Sequence, residues 1–191
     1  MNYVKFVFLI FCLSIFLSCA SFKDNIRSED LVELKESNLN LLNGIYQNND
    51  EKRPSPLEYS WGSFYKMREY SSVYELVYEQ KKPYFISLKV INKKKIEIKV
   101  IVDGRILKSY IIKGQLKDGY FEQNRKMFII PLLILNVYHS SKFRIGLHEN
   151  GNTVTDFKKY DFGTYYFINP HNNNETYMNI EHKRIHNFNK Q

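Results

Sequence analysis

The sequence predicts a mainly β fold, an antiparallel up-and-down meander forming a small barrel or half-barrel of about 8-10 strands with a short N-terminal helix. Three observations carry that expectation. Ile96, Ile98, Val100 and Val102 alternate with Lys95, Glu97, Lys99 and Ile101, which is period two over a whole strand. Asp103-Gly104, Asp118-Gly119 and Asn150-Gly151 stand between apolar segments, and such pairs tolerate the positive φ that tight hairpins require. Composition agrees, since the 191 residues include fifteen Tyr and fourteen Phe, side chains suited to a pleated, half-buried surface.

The first eighteen residues are a different kind of sequence. Lys5 is their only charge, and the apolar stretch Phe6 to Leu17 is relieved only by Ser14. Crossing a hydrocarbon core takes about 20 apolar residues. A shorter run with a basic start and a small residue at its end reads as a secretory signal peptide over 1–18, and a short uncleaved anchor is the other reading. The run ends Phe16-Leu17-Ser18-Cys19-Ala20, with a small residue directly before the cysteine. This resembles the lipobox of bacterial lipoproteins. The resemblance implies that the Cys19 thiol takes a diacylglycerol, that the chain is cut before Cys19, and that the new amino group is often acylated as well. It also implies export and lipid anchoring to a bacterial cell membrane, outer or plasma. The only other cysteine, Cys12, leaves with the leader, so the mature chain has no intramolecular disulfide.

Residues 19–30 are polar and mixed in charge, as a tether would be. Ser28 suits the cap of a short helix through Leu31, Val32 and Leu34. Leu39, Leu41 and Leu42 lead into Gly44-Ile45-Tyr46, a loop with Pro54 and Pro56, and a strand from Trp61 to Met67. Ser71 to Glu79 reads as helix by its Val73, Leu76, Val77 spacing and as strand by its Tyr content. From Tyr84 the pattern is strand after strand, with Arg105 to Lys113 returning from Asp103-Gly104 and Val154 to Lys158 returning from Asn150-Gly151. Met127 to Leu135 is apolar at every position around Pro131, which suits a strand covered on both faces or one that contacts another body. Tyr165 to Ile168 reads as the closing strand, so one β-rich domain spans 31–170 and a loose polar tail spans 171–191. The order of helix, Leu-rich approach, Gly-x-aromatic strand and long meander resembles the lipocalin-type barrels, with Tyr46 where that family normally has Trp.

Candidate sites divide into four groups. Trp61, Phe64, Tyr84, Tyr110, Tyr120, Phe143 and Tyr165 are the rings available to line a cavity for an apolar small molecule, or to fill the interior themselves. Between Lys81 and Lys113 stand ten basic residues against Glu97 and Asp103. Within that stretch Lys93, Lys94, Lys95, Lys99 and Lys108 read either as a solvated, edge-protecting face or as a patch for anionic lipid or glycan. His182 and His186 have the spacing of two helical ligands, with Glu181 and His171 near in sequence, but no third ligand follows at a dependable spacing, and neither metal nor cofactor is predicted. No nucleophile elbow and no phosphate loop occur. The expected function is a lipid-anchored, non-catalytic binding or envelope-interaction module with no nucleic-acid partner. A hydrolase-type enzyme with a site in a barrel mouth is the alternative, recognisable by converging carboxylates or by His with Ser.

Overall fold

The computed structural model describes residues 30–47, 83–129, 135–165 and 169–185. Cys19, Ser28, the loop with Pro54 and Pro56, Trp61, Phe64, the segment Ser71 to Glu79, Pro131 and His186 lie outside these residues. Eleven strands occur among the described residues: β1 (Leu31–Val32), β2 (Gly44–Gln47), β3 (Tyr84–Asn92), β4 (Lys95–Val102), β5 (Arg105–Lys113), β6 (Gln115–Lys117), β7 (Tyr120–Ile129), β8 (Leu135–His148), β9 (Thr153–Tyr165), β10 (Asn169–His182) and β11 (Arg184–Ile185). They are antiparallel and form two sheets. One has the order β10-β9-β8-β7-β6, with β1 added beside β8; the other has the order β11-β2-β3-β4-β5.

The hairpins follow from turn chemistry. Asp103 and Gly104 have φ of 49° and 71°, Asp118 and Gly119 have 53° and 79°, and Gly151 has 84°. These left-handed positions turn one strand directly into the next. The expected alternation is present in β4, where Ile96, Ile98 and Val100 are fully buried while Lys95, Glu97 and Lys99 face out.

The ladder does not close into a barrel among the described residues. Instead the described chain passes between the sheets at three places, from β1 to β2 through the 3-10 helix Leu39–Leu42, from β5 to β6 through Gly114 and from β10 to β11 through Lys183. At Gly114 the turn between sheets is so tight that a Cβ would lie 2.5 Å from the Glu122 carbonyl oxygen and 2.7 Å from the Phe121 ring. The Gly114 N–H donates to the Lys94 carbonyl at 3.0 Å, which ties this corner to the β3–β4 turn. One core fills the space between the sheets: Tyr46, Ile86, Leu88, Ile98 and Ile112 from one, Phe121, Phe143, Ile145 and Phe157 from the other.

Two expectations are corrected. Leu31 and Val32 are not helical but pair with His148 and Leu147 as β1, and the one helical turn among the described residues is the 3-10 helix Leu39–Leu42. Pairing with β8 satisfies the backbone of Leu31 and Val32 and buries Leu31, which a solvated helix would not do. Residues 171–185 are not a loose tail. Asn169–His182 pairs with β9 along nearly its whole length, with a shift between Tyr177 and Ile180. An edge strand needs only one covered side, so Asn172, Asn174 and Thr176 face solvent while Asn173, Glu175 and Tyr177 face inward. Pro170 is acceptable near the start of such an edge.

β11 closes one end of the domain. The Arg184 guanidinium donates from Nη2 to the carbonyls of Leu41 and Asn43 and to the Tyr46 hydroxyl at 2.6 Å. It also lies over the Tyr46 ring, 5.3 Å from its centroid. A Cβ at Gly44 would come within 3.1 Å of Arg184 Nε, so the small residue leaves room for this side chain. Gly44 and Tyr46 therefore act together, one by absence and one by contact. Burial pushes the Tyr46 hydroxyl above its usual value, with Arg184 opposing that shift.

Gly114→Ala should test the corner. A methyl group there displaces backbone or the Phe121 ring, so the expected cost is about 1–3 kcal/mol in chemical denaturation, with the spectrum of the folded state retained.

Candidate functional site

Among the described residues, Tyr120 lies apart from the other interior aromatic residues. Tyr84 and Phe143 are buried within the core, and Tyr110, opposite Ile98, packs against it half-buried. Tyr120 lies elsewhere. Phe121 faces the core, so Tyr120 points to the other side of the sheet, where its ring lies over Gly146 and under the Arg144 guanidinium at 4.1 Å. Tyr165 is the last residue of β9, in register with Leu135 and Asn169. Trp61 and Phe64 lie outside the described residues.

The basic stretch divides by strand register. Lys93 and Lys94 form the β3–β4 turn and Lys95 opens β4; all three are exposed. Lys95 stands directly opposite Lys113, and like charges in that position repel. Lys93 reaches Glu36 at 3.0 Å. Among the described residues, no carboxylate lies within ion-pair distance of Lys94, Lys95 or Lys113. Lys99 is different, because Glu97 neutralises it at 3.3 Å while also accepting from the Ser109 hydroxyl at 3.1 Å. Lys108 does not join the patch. Leu107 is an extra residue in β5, so Lys108 falls opposite Val100 on the core-facing side of the ladder. A bulge moves every later side chain to the opposite face, and no dipeptide signalled this one. The basic site is thus Lys94, Lys95 and Lys113 at one end of the five-stranded sheet, with Lys93, paired to Glu36, beside them.

Two polar clusters on the six-stranded sheet were not legible in the sequence. The first lies on the core-facing side, beyond the apolar half of strands β8 to β10. His139 Nδ1 lies 2.6 Å from one Asp161 oxygen, and Lys159 Nζ lies 2.7 Å from the other. Lys159 also approaches Glu175 at 3.9 Å, and the Asn173 amide donates to Glu175 at 3.0 Å. Ser141, buried, stands on the same face between His139 and Phe143. The residues come from three strands, and only their register, His139 opposite Asp161 and Lys159 opposite Glu175, brings them together.

The second cluster lies on the opposite face of the same strands. Arg144 Nε donates to Asp156 Oδ2 at 2.5 Å, and the Asn179 backbone N–H donates to Asp156 Oδ1 at 2.6 Å. Asn179 has φ of 55° in the β10 bulge, so Asp156 fastens an irregular backbone as well as a cation. Asp156 is completely buried, and pairing at both oxygens offsets that desolvation. Glu122 is buried beside them, 3.8 Å from Lys142.

Of the spaced histidines His182 and His186, only His182 is described, and among the described residues it belongs to no metal-binding group. His182 ends β10 rather than lying on a helix, and neighbours along a strand point to opposite sides. Its Nε2 is 2.8 Å from the Thr155 hydroxyl, whereas Glu181 accepts from Asn152 at 2.7 Å. The Asn152 amide, beside a second amide from Asn150, holds the Glu181 carboxyl below its ordinary value despite some burial.

Asp156→Ala should cost about 3–5 kcal/mol of stability, because it leaves Arg144 buried without its partner and releases the bulge. Asp156→Asn, which keeps an acceptor for Asn179, should cost less. Denaturant unfolding of the two variants measures the difference.

Comparison with protein-family models, with curated proteins and with solved structures finds no match to this chain.

Proposed function

We propose that the chain is a lipid-anchored, non-catalytic module of the bacterial envelope, acylated at Cys19, whose basic end binds an anionic envelope component. The observation that carries the binding half of this reading is the trio Lys94, Lys95 and Lys113, exposed at one end and without a carboxylate among the described residues. The buried charges elsewhere, Asp156, Asp161 and Glu122, have cationic partners, which marks them as parts of the scaffold. The core between the sheets is filled by its own Tyr, Phe and aliphatic side chains, which favours a surface anion over an enclosed apolar ligand. The ligand chemistry is phosphate or carboxylate, from a lipid headgroup or an acidic glycan.

Fatty-acid labelling of cells carrying wild type or Cys19→Ser tests the anchor, and the serine variant should lose both label and membrane retention. Titration of the full chain in neutral detergent with polyphosphate tests the anion site. Lys94→Glu/Lys95→Glu/Lys113→Glu should weaken binding at least tenfold, and salt should weaken wild-type binding steeply. Unchanged labelling would remove the anchor, and unchanged polyphosphate affinity would remove the site.

A second reading rests on His139. Its contact with Asp161, and Ser141 two residues further along the same face, is the arrangement of residue types that a hydrolase uses. Lys159 on the second Asp161 oxygen and the burial of Ser141 weigh against it. Under this reading a fluorophosphonate probe labels wild type and not Ser141→Ala; under the binding reading neither protein is labelled.

A further inference from the structure

The lysine end of the domain carries a second feature that charge alone does not explain. Leu41 is 50% exposed and Ile91 is 47% exposed, both beside the β3–β4 turn. Both lie within two residues of one contact, in which the Asn43 side chain accepts from the Val90 N–H at 2.6 Å. The turn itself is Lys93-Lys94, followed by Lys95 with Lys113 across the ladder. Two bare aliphatic side chains thus project beside four lysines.

This is also the end at which Asp30, the first described residue, lies. The Asp30 carbonyl accepts from the Glu149 N–H at 3.0 Å, at the β8–β9 turn. The Leu34 N–H donates to the Gly119 carbonyl at 3.1 Å, at the β6–β7 turn. Glu36 then meets Lys93 at 3.0 Å. Glu36 is six positions after Asp30, so Asp30 lies within about 20 Å of Glu36 and its partner Lys93. Eleven residues separate Asp30 from Cys19, a span of about 40 Å at full stretch and about 18 Å as a flexible coil.

We infer that the domain docks this corner, Leu41 and Ile91 flanked by Lys93, Lys94, Lys95 and Lys113, onto the anionic bilayer that holds its own lipid anchor. The inference rests on the proposed acylation of Cys19 and names the anionic partner as a lipid surface. Asp30, Glu33, Asp118 and Glu149 lie at the same end toward the six-stranded sheet, so the corner rather than the whole end meets the headgroups. The aliphatic side chains enter the interface and the lysines pair with phosphates. Each lysine near an anionic surface strengthens the contact about fivefold. The tether makes docking intramolecular, so a patch too weak to recruit a free domain is sufficient.

The test uses the full lipidated chain, which has no other free thiol once Cys12 has left and Cys19 is acylated. Leu41→Cys, Ile91→Cys and Arg105→Cys are each labelled with an environment-sensitive fluorophore and reconstituted in vesicles. Arg105 is exposed at the far end of β4, about 25 Å away along the strand. In vesicles containing phosphatidylglycerol, a quencher fixed in the acyl region should quench the labels at 41 and 91 and not at 105. Phosphatidylcholine alone, or the Lys94→Glu/Lys95→Glu/Lys113→Glu background, should reduce that quenching at least fivefold. Labels at 41 and 91 as water-exposed as the label at 105 would overturn the inference, and persistent polyphosphate binding in that case would point to a glycan. Loss of fatty-acid label at Cys19 is scored separately, so failure of the anchor is distinguishable from failure of docking.

Discussion

Arg184 holds together parts of the chain that are 138 to 143 residues apart. Its guanidinium satisfies carbonyls at the end of the 3-10 helix and the hydroxyl of Tyr46, while its backbone N–H is held by the Asn152 side chain in the β8–β9 turn. Among the described residues the chain crosses between the sheets three times, and Arg184 bridges two of those crossings, the one before β2 and the one at β11. All three acceptors meet the single nitrogen Nη2, while the buried Nε has no hydrogen-bond partner among the described residues. Gly44 has to be small to leave room for this side chain, and Tyr46 has to carry both a ring and a hydroxyl.

With that end closed, the core-facing side of the six-stranded sheet separates into two zones. Near the Arg184 end it is apolar, with Phe121, Phe143, Ile145 and Phe157 against the other sheet. Further along the same strands it is charged, with His139, Asp161, Lys159 and Glu175 in a chain of contacts. Charges in such a position persist because each finds a partner across the ladder; a lone one would be pushed toward its neutral form. The opposite face repeats this logic with Arg144 and Asp156, which also fix the bulge in β10.

The exposed lysines contrast with those paired groups. Lys95 and Lys113 repel each other across the ladder, and neither has an acid to offset that cost among the described residues. Edge strands carry lysines to prevent unwanted pairing, and β5 is an edge. That accounts for charge along β5 but not for its concentration at one turn, nor for two bare aliphatic side chains beside it. Asp30, the first described residue, lies at the same end.

The sequence by itself determined the class of fold and its hairpins. Alternation over Lys95–Val102 and the Asp-Gly and Asn-Gly turns are local properties, set by side-chain period and by φ at one or two residues, so they survive without knowledge of the partners. Tertiary structure decided the rest. The passage between sheets at Gly114 depends on the distance to Glu122 and Phe121, which no neighbouring residue encodes. Asn169–His182 has poor β-propensity and becomes a strand because β9 offers it a ladder and one face to cover. Lys108 left the basic patch through a single bulged residue, and His139, Asp161, Lys159 and Glu175 met only through strand register. Contacts between distant segments are made by registers and crossings, and one inserted residue changes which side chains meet; a linear pattern records the period of a strand but not its phase against its neighbour.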